Sequence, residues 1–287
     1  MSQTDHAKRS AFRTLHAQGC FILPNPWDVG SASMLQGLGF KALATTSSGH
    51  AWSQGRSDGS TSRTELLEHL RTMVAATTLP VNADFESGFA PDPAGVAESV
   101  RMAVDTGVAG LSIEDSTGDP DDPLRSLGDS VARLRAARAA IDESGGDTLL
   151  VGRAENFFAD RPDLEDTIRR LRAYAEAGAD CLYAPGIRTR AQIEAVVQAV
   201  APKPVNLLIG WASEWTLDDV AAMGVRRVSV GGALARAAWA GFLTAARALA
   251  DGGRFDGLAG ATPGDELNAY FRSVAQSALD RPGSRES

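Results

Sequence analysis

Cysteine is almost absent from this chain: Cys20 and Cys181 are the only two, far apart and in no metal-ligand or disulfide-framework spacing. That usage predicts a reducing cytoplasm, with both thiols as buried apolar filler. Basic residues are in deficit as well. Lys and Arg number 28 against 36 Asp and Glu, giving a net charge of −8 and a pI near 5.1. A nucleic acid or an anionic membrane would need a basic face, so neither is an expected partner. No apolar run approaches the roughly 18 residues that a membrane span requires. The opening MSQTDHAKRS lacks the apolar stretch of a secretory signal, and none is expected. The first strand-to-helix turn carries no G-x-G-x-x-G, which leaves dinucleotide binding without support.

What is present is an ordinary globular composition, 44% hydrophobic and 22% charged over 287 residues. That length suits two average domains or one (β/α)8 barrel of about 250 residues. Eight short apolar runs read as strands: Cys20–Asn25, Ala42–Thr46, Pro80–Phe85, Gly110–Asp115, Thr148–Arg153, Asp180–Pro185, Pro204–Leu208 and Arg227–Gly231. Helical patterns fill the intervals. Asp28 is a candidate N-cap for a helix to Leu38, with Gly39 past its end. Ser47–Ser62 reads as a long polar loop, and Thr64 as the cap of a helix to Ala76 with Leu66, Leu67, Leu70, Met73 and Val74 on one face. Strict alternation predicts a parallel sheet with right-handed crossovers, and eight units in this length favour a closed (β/α)8 TIM-type barrel. The expected organisation is a helical segment over 1–20, the barrel over 21–250 and an extension over 251–287 ending in a disordered tail from Asp280.

A (β/α)8 barrel places its active site at the C-terminal ends of its strands. Those ends read Asn25, Ser47-Ser48-Gly49, Asp84 with Glu86, Glu114 with Asp115, Arg153, Tyr183, Asn206 and Gly231. Residues i and i+2 of a strand share a face, so Asp84 and Glu86 are expected to project together. Carboxylates so gathered repel and are costly to desolvate without a positive partner. Hard carboxylate oxygens suit Mg2+, or Mn2+, with water completing the shell. The alternatives are plainer: a solvated strand end at Asp84-Phe85-Glu86, Arg153 paired with Glu155, Asn206 satisfying backbone groups, and Asp115 turned away from Glu114.

These strand ends resemble the isocitrate lyase/phosphoenolpyruvate mutase superfamily over roughly Phe21 to Gly241. Asn82-Ala83-Asp84-Phe85-Glu86-Ser87-Gly88-Phe89 is similar to the family's metal-carboxylate signature, and Ser112-Ile113-Glu114-Asp115 to the following metal-side glutamate. Gly152-Arg153-Ala154-Glu155 is similar to the segment with the substrate-binding arginine. Ser48-Gly49, then Gly55-Arg56-Ser57-Asp58-Gly59, resemble the Ser-Gly substrate turn and the mobile aspartate. The resemblance implies a Mg2+-dependent enzyme that makes or breaks a C–C or P–C bond in a small 2-oxo or 2-hydroxy carboxylic acid through an enolate. It implies a metal held by Asp84, Glu86 and Glu114, and Asp58 over the reacting carbon. Substrate would bind to Ser48, Gly49 and His50 through their N–H groups, to Arg153 as a clamp, and to Asn206. It implies a homo-oligomer, a tetramer or dimer of dimers, with the last barrel helix exchanged between subunits.

The departures narrow this. Members that cleave isocitrate carry a Lys-Lys/Arg-Cys-Gly-His loop after the fourth strand. Here that loop is Ser116-Thr117-Gly118-Asp119-Pro120-Asp121-Asp122-Pro123-Leu124-Arg125, without Cys, His or Lys. Ala184-Pro185-Gly186 stands where those lyases have Pro-Glu. Classical isocitrate lyase activity is therefore not expected. C–C lysis or decarboxylation of a small oxo acid stands first, with a phosphonopyruvate or carboxyphosphonoenolpyruvate mutase or C–P hydrolase as an alternative, and a non-catalytic 2-oxo-acid-binding barrel as another.

Overall fold

The computed structural model describes residues 3–279; the tail expected from Asp280 lies outside the described residues. In chain order the elements are α1 (Gln3–Ala17), β1 (Phe21–Leu23), α2 (Val29–Gly37), β2 (Leu43–Ala44), α3 (Ser47–Ser53) and α4 (Arg63–Ala76). There follow β3 (Val81–Asp84), α5 (Pro93–Val104), β4 (Gly110–Glu114), α6 (Leu127–Glu143), β5 (Leu149–Arg153) and α7 (Leu164–Glu176). The rest are β6 (Cys181–Tyr183), α8 (Arg190–Val200), β7 (Val205–Leu208), α9 (Leu217–Ala222), β8 (Arg227–Ser229), α10 (Ala233–Gly252) and α11 (Gly264–Leu279).

All eight strands are parallel and run β1-β8-β7-β6-β5-β4-β3-β2 across one sheet. The β1–β2 seam has no ladder among the described residues, but it is drawn together just past β1. Ala44 N–H donates to Pro24 C=O at 3.0 Å, and Asn25 Nδ2 donates to Thr45 C=O at 3.0 Å. The result is a nearly closed (β/α)8 barrel. Its inner cluster includes Leu23, Ala44, Val151, Cys181, Tyr183 and Leu208, with Phe12 of α1 entering from below. A larger cluster joins the outer strand faces to α4–α9, which is the two-layer burial a barrel demands.

Helix α1 covers the N-terminal end of the strands. Fully buried Arg9 donates to the Val108 and Val104 carbonyls at 3.0 and 2.7 Å and pairs with Asp147 at 3.1 Å. Gly110 is required beneath it: a Cβ there would come within 2.8 Å of Phe12.

Two local expectations are corrected. Ser47–Ser53 is helical rather than loop, because the Thr46 hydroxyl accepts from Gly49 N–H and starts a turn. Helix α4 is capped by Ser62, not Thr64, through a reciprocal capping box with Glu65. Compact packing divides the chain after Ala235, with a second unit from Arg236 onward. In that second unit Trp239, Phe242, Leu249, Phe255 and Phe271 are exposed. No helix among the described residues is long and apolar enough to cross a membrane.

Candidate active site

The strands β3, β4 and β5 are neighbours in the sheet, with Glu114 and Arg153 in register. Their C-terminal ends bring Asp84, Glu114 and Arg153 to one point. The Arg153 guanidinium lies 3.0 Å from Glu114 Oε2 and 3.3 Å from Asp84 Oδ1, and its Nε is 2.5 Å from Glu155 Oε1. Its carbon sits 5.2 Å over the Tyr183 ring on β6, a cation–π shelf. Arg153 therefore pairs with Glu155 and also bridges the two strand-end acids.

The supports of these groups are specific. Asp84 Oδ2 accepts from Ser47 N–H at 3.0 Å, and Asp84 N–H donates to Thr45 Oγ1 at 2.9 Å, so β2 and the start of α3 fix this carboxylate. Asp115 does turn away, as its alternation with Glu114 predicts. It is buried, accepts from Arg170 at 3.1 Å and from the Tyr174 hydroxyl at 2.5 Å, and receives Glu155 N–H at 2.8 Å. Asp115 is thus a buried anchor that holds the backbone of Glu155 beside Arg153.

Glu86 reaches the site by a different route from the one alternation suggests. The strand stops at Asp84, and Glu86 stands at φ 45°, in the left-handed region that a non-glycine residue seldom occupies. Its C=O accepts from Glu114 N–H at 2.9 Å, tying the turn to β4. Among the described residues its carboxylate has no hydrogen-bond partner.

Acid outnumbers base in this mouth, and the proton affinities record it. Burial pushes the Glu86 carboxyl up to about 7, with Asp84 and Asp58 adding to the rise and Arg153 opposing it. Burial also holds Glu114 well above the ordinary range; Arg153 opposes, while Glu155, Asp84 and Glu86 add. Glu155 is raised by the same burial against the pull of Arg153. Burial works to strip the charge from Arg153, yet Glu114, Glu155, Tyr183 and Asp84 keep its proton bound more firmly than usual.

The other expected site residues divide. Gly49 is buried where a Cβ would meet Thr46 at 2.7 Å and Trp27 at 3.0 Å, so this position favours glycine. Ser48 Oγ lies 3.1 Å from Thr46 Oγ1 and beneath Gly232 after β8. His50 N–H donates to Thr46 C=O at 3.1 Å inside α3, and its ring stacks on His69 of α4 at 3.8 Å. The structure therefore does not offer His50 N–H to a ligand: helix formation consumes it. Asp58 lies on an exposed loop with its own Gly59 N–H as partner, and its charge reaches Glu86. Asn206 is fully buried inside the barrel. It accepts from Arg227 Nε at 2.8 Å and donates to Ser229 Oγ at 2.9 Å, so both ends of its amide are already engaged.

Hard oxygen donors crowd this mouth, but no three of Asp, Glu, His and Cys converge closely enough among the described residues to encircle an ion. Tyr183 and Glu155 are the contributors that a reading of strand-end acids undervalues. Tyr183 presents an aromatic face at a strand end. Glu155 lies two residues past Arg153, outside β5.

An arginine-centred acid cluster at the C-terminal mouth of a (β/α)8 barrel defines an enzyme class rather than a structural scaffold. The particular family follows from comparison with known proteins. The phosphoenolpyruvate phosphomutase family model matches residues 12–250, and the chain belongs to that family. It is 31% identical over 239 residues to an oxaloacetate decarboxylase of Bradyrhizobium sp. (strain BTAi1), covering 79% of this chain and 78% of the relative. A structure from Burkholderia cenocepacia J2315, provisionally described as a lyase/mutase, superposes with TM-score 0.91 at 47% identity, covering 94% of this chain and 98% of that one. An oxaloacetate acetylhydrolase bound to its product oxalate superposes with TM-score 0.84 at 26% identity, over 96% of each chain. By name these relatives are a decarboxylase, a lyase/mutase and an acetylhydrolase.

Proposed function

We propose that this chain is a Mg2+-dependent carbon–carbon lyase or decarboxylase acting on a small 2-oxo or 2-hydroxy diacid. The observation that carries the reading is Arg153 held between Asp84, Glu114 and Glu155 on adjoining strand ends. The resemblance to oxaloacetate decarboxylases supports the choice of bond.

The donor set fits a hard divalent cation. Carboxylates surround one guanidinium, and burial, with Asp84 and Asp58 adding to it, pushes the Glu86 carboxyl up to about 7. Mg2+ keeps several of its waters and takes only one or two carboxylates directly, so a loose arrangement of Asp84, Glu86 and Glu114 suits it. When bound, it supplies a Lewis acid for the negative charge that develops on an enolate oxygen. Arg153, whose Nε and Nη1 are taken by Glu155, Glu114 and Asp84, turns its Nη2 edge to the substrate carboxylate. The start of α3 at Ser48 and Gly49 borders that carboxylate. Asp58, on its exposed loop, orients or exchanges a proton at the reacting carbon. Glu155, fixed through Asp115, sets the angle of the guanidinium.

The acidic loop after β4 argues against isocitrate cleavage. Ser116 bridges to Leu124, and its one cation, Arg125, turns to Asp129 at 3.4 Å. A phosphonate reading is favoured by the phosphomutase family model. The exposed aromatic residues of the second unit support a homo-oligomer in which that unit packs on another copy. Free Cys20 and Cys181 suit a reducing cytoplasm.

The test is pyruvate release from oxaloacetate with and without Mg2+, alongside phosphorus NMR on phosphonopyruvate. Mg2+-dependent pyruvate release supports the first reading, and P–C rearrangement or cleavage replaces it with the second. Tight 2-oxo-acid binding without turnover refutes both and leaves a binding barrel.

A further inference from the structure

One arginine beyond β6 has no acid partner among the described residues. Arg188 follows β6 by five residues and is exposed, yet its place is fixed from three sides. Ile187 before it is fully buried. Its own N–H donates to Gln192 Oε1 at 3.0 Å, within the capping box that starts α8. Its guanidinium carbon lies 4.5 Å over the ring of Trp211, in the loop after β7. Trp211 in turn packs on the inner barrel cluster that contains Tyr183 and Leu208. Two arginines thus lie over rings that belong to or pack on one cluster, Arg153 over Tyr183 of β6 and Arg188 over Trp211 of the β7 loop.

The two differ in what they have left to give. Arg153 is engaged by carboxylates on its N–H edges. The Arg188 side chain makes no ion pair or hydrogen bond among the described residues. Stacking uses the face of a guanidinium and leaves its in-plane N–H fork open, which is the edge that grips a carboxylate bidentately. Stacking also removes rotamer freedom before a ligand arrives, so less is lost on binding. Arg56 and Arg125, the other loop arginines near β2 and β4, are paired with Glu65 and Asp129.

We propose that Arg188, held on Trp211, binds the carboxylate of the substrate that is remote from Arg153, and so selects four-carbon-type diacids over monoacids. This rests on the reading of the Arg153 mouth as the carboxylic-acid site. Arg188 is then a specificity determinant, and Trp211 its positioning residue.

The test uses the full chain with Mg2+ and calorimetric binding of two ligands of equal chain length, malate and 2-hydroxybutanoate, which differ in the remote carboxylate. The wild type is expected to prefer malate by about tenfold or more, the range of one charge-assisted hydrogen-bonded pair. Arg188→Gln should abolish that preference while leaving 2-hydroxybutanoate affinity within about twofold. Arg188→Lys should restore part of it, and Trp211→Leu should lower it without changing 2-hydroxybutanoate binding. If the wild type binds both ligands equally, or Arg188→Gln keeps the preference or weakens both alike, the proposal is overturned while the carboxylic-acid site stands. If the wild type binds neither, both readings fall together.

Discussion

Glu86 is the residue whose ionisation should be most visible in stability. Its folded carboxyl binds a proton up to about 7, against 4.5 in the unconstrained state. A group raised in this way favours the folded chain fully below about 4.5, where both states are protonated. That advantage is lost as pH climbs through 7, because the unfolded chain then ionises freely and the folded one pays to do so. The difference amounts to at most about 3 kcal/mol, reduced by the partial solvent access of the side chain. Glu86→Gln keeps the shape and removes the ionisation. In urea denaturation with chelator present, wild type and variant should agree at pH 4.5 and diverge steadily, the variant being the more stable by about 2 kcal/mol at pH 8. Glu114 and Glu155 are also raised and will leave a slope in the variant, so the reading is the gap between the curves. Mg2+ should stabilise the wild type at pH 8 more than the variant. Parallel curves at all pH values would refute the placement of Glu86 in an acid-rich, part-buried site.

Three other outcomes are expected. Arg153→Met strands Asp84, Glu114 and Glu155 without a counter-charge and should cost about 3–5 kcal/mol at pH 8. The loss should shrink at pH 5, because burial raises Glu114 and Glu155 and lets them take up protons; a pH-independent loss in urea would point to packing alone. Asn206→Ala leaves the Arg227 Nε without its acceptor and should lower stability by about 1–3 kcal/mol with ligand affinity unchanged. Lost affinity with intact stability would place Asn206 back among the substrate contacts. Asp58→Ala should leave the unfolding midpoint in place, as exposed substitutions do, while cutting turnover by about a hundredfold. Unchanged turnover would remove Asp58 from the chemistry.

The barrel was legible because burial on both faces of a parallel strand leaves a short continuous apolar run, and eight such runs recur between helical patterns. Strand ends read too far at Thr46, Pro185 and Gly231, since β-prone threonines or small and apolar residues continue past the point where the ladder stops. Helix α3 is hidden from composition for a related reason. Ser47-Ser48-Gly49 is loop-like in composition, and only the Thr46 cap makes a turn of it. The acids of the site could be read as acids at strand ends, but the way Glu86 enters could not. Alternation assumes extended backbone, and φ 45° at Glu86 breaks that assumption. Asn206 shows the opposite limit. A polar residue at a strand position looks available until its partner is known, and Arg227 lies 21 residues further along the chain.

The surplus of acid also constrains how a diacid can bind. With Asp84, Glu86, Glu114 and Glu155 facing one guanidinium, a dianion entering alone would meet net repulsion in a site of low dielectric. The carboxyls can relieve this by taking up protons, as the raised values for Glu86 and Glu114 allow, or a divalent cation can enter with the ligand. At pH 8 the first course is largely closed for Glu86, so the second should dominate. Mg2+ and malate should then each tighten the binding of the other, by the same factor in both directions, since coupling between two ligands is reciprocal. A factor of about ten corresponds to about 1.4 kcal/mol, a modest share of the interaction between opposite charges at short range. The coupling should weaken toward pH 5, where protons substitute for the cation. Arg188→Gln should lower malate affinity at every Mg2+ concentration without altering the coupling factor, because its charge lies over Trp211 and makes no ion pair with the acid cluster. Titrating malate at two Mg2+ concentrations, at pH 5 and 8, reads all of this. Malate affinity independent of Mg2+ at pH 8 would mean that the acid cluster is balanced by groups already within the protein, and the metal role would fail.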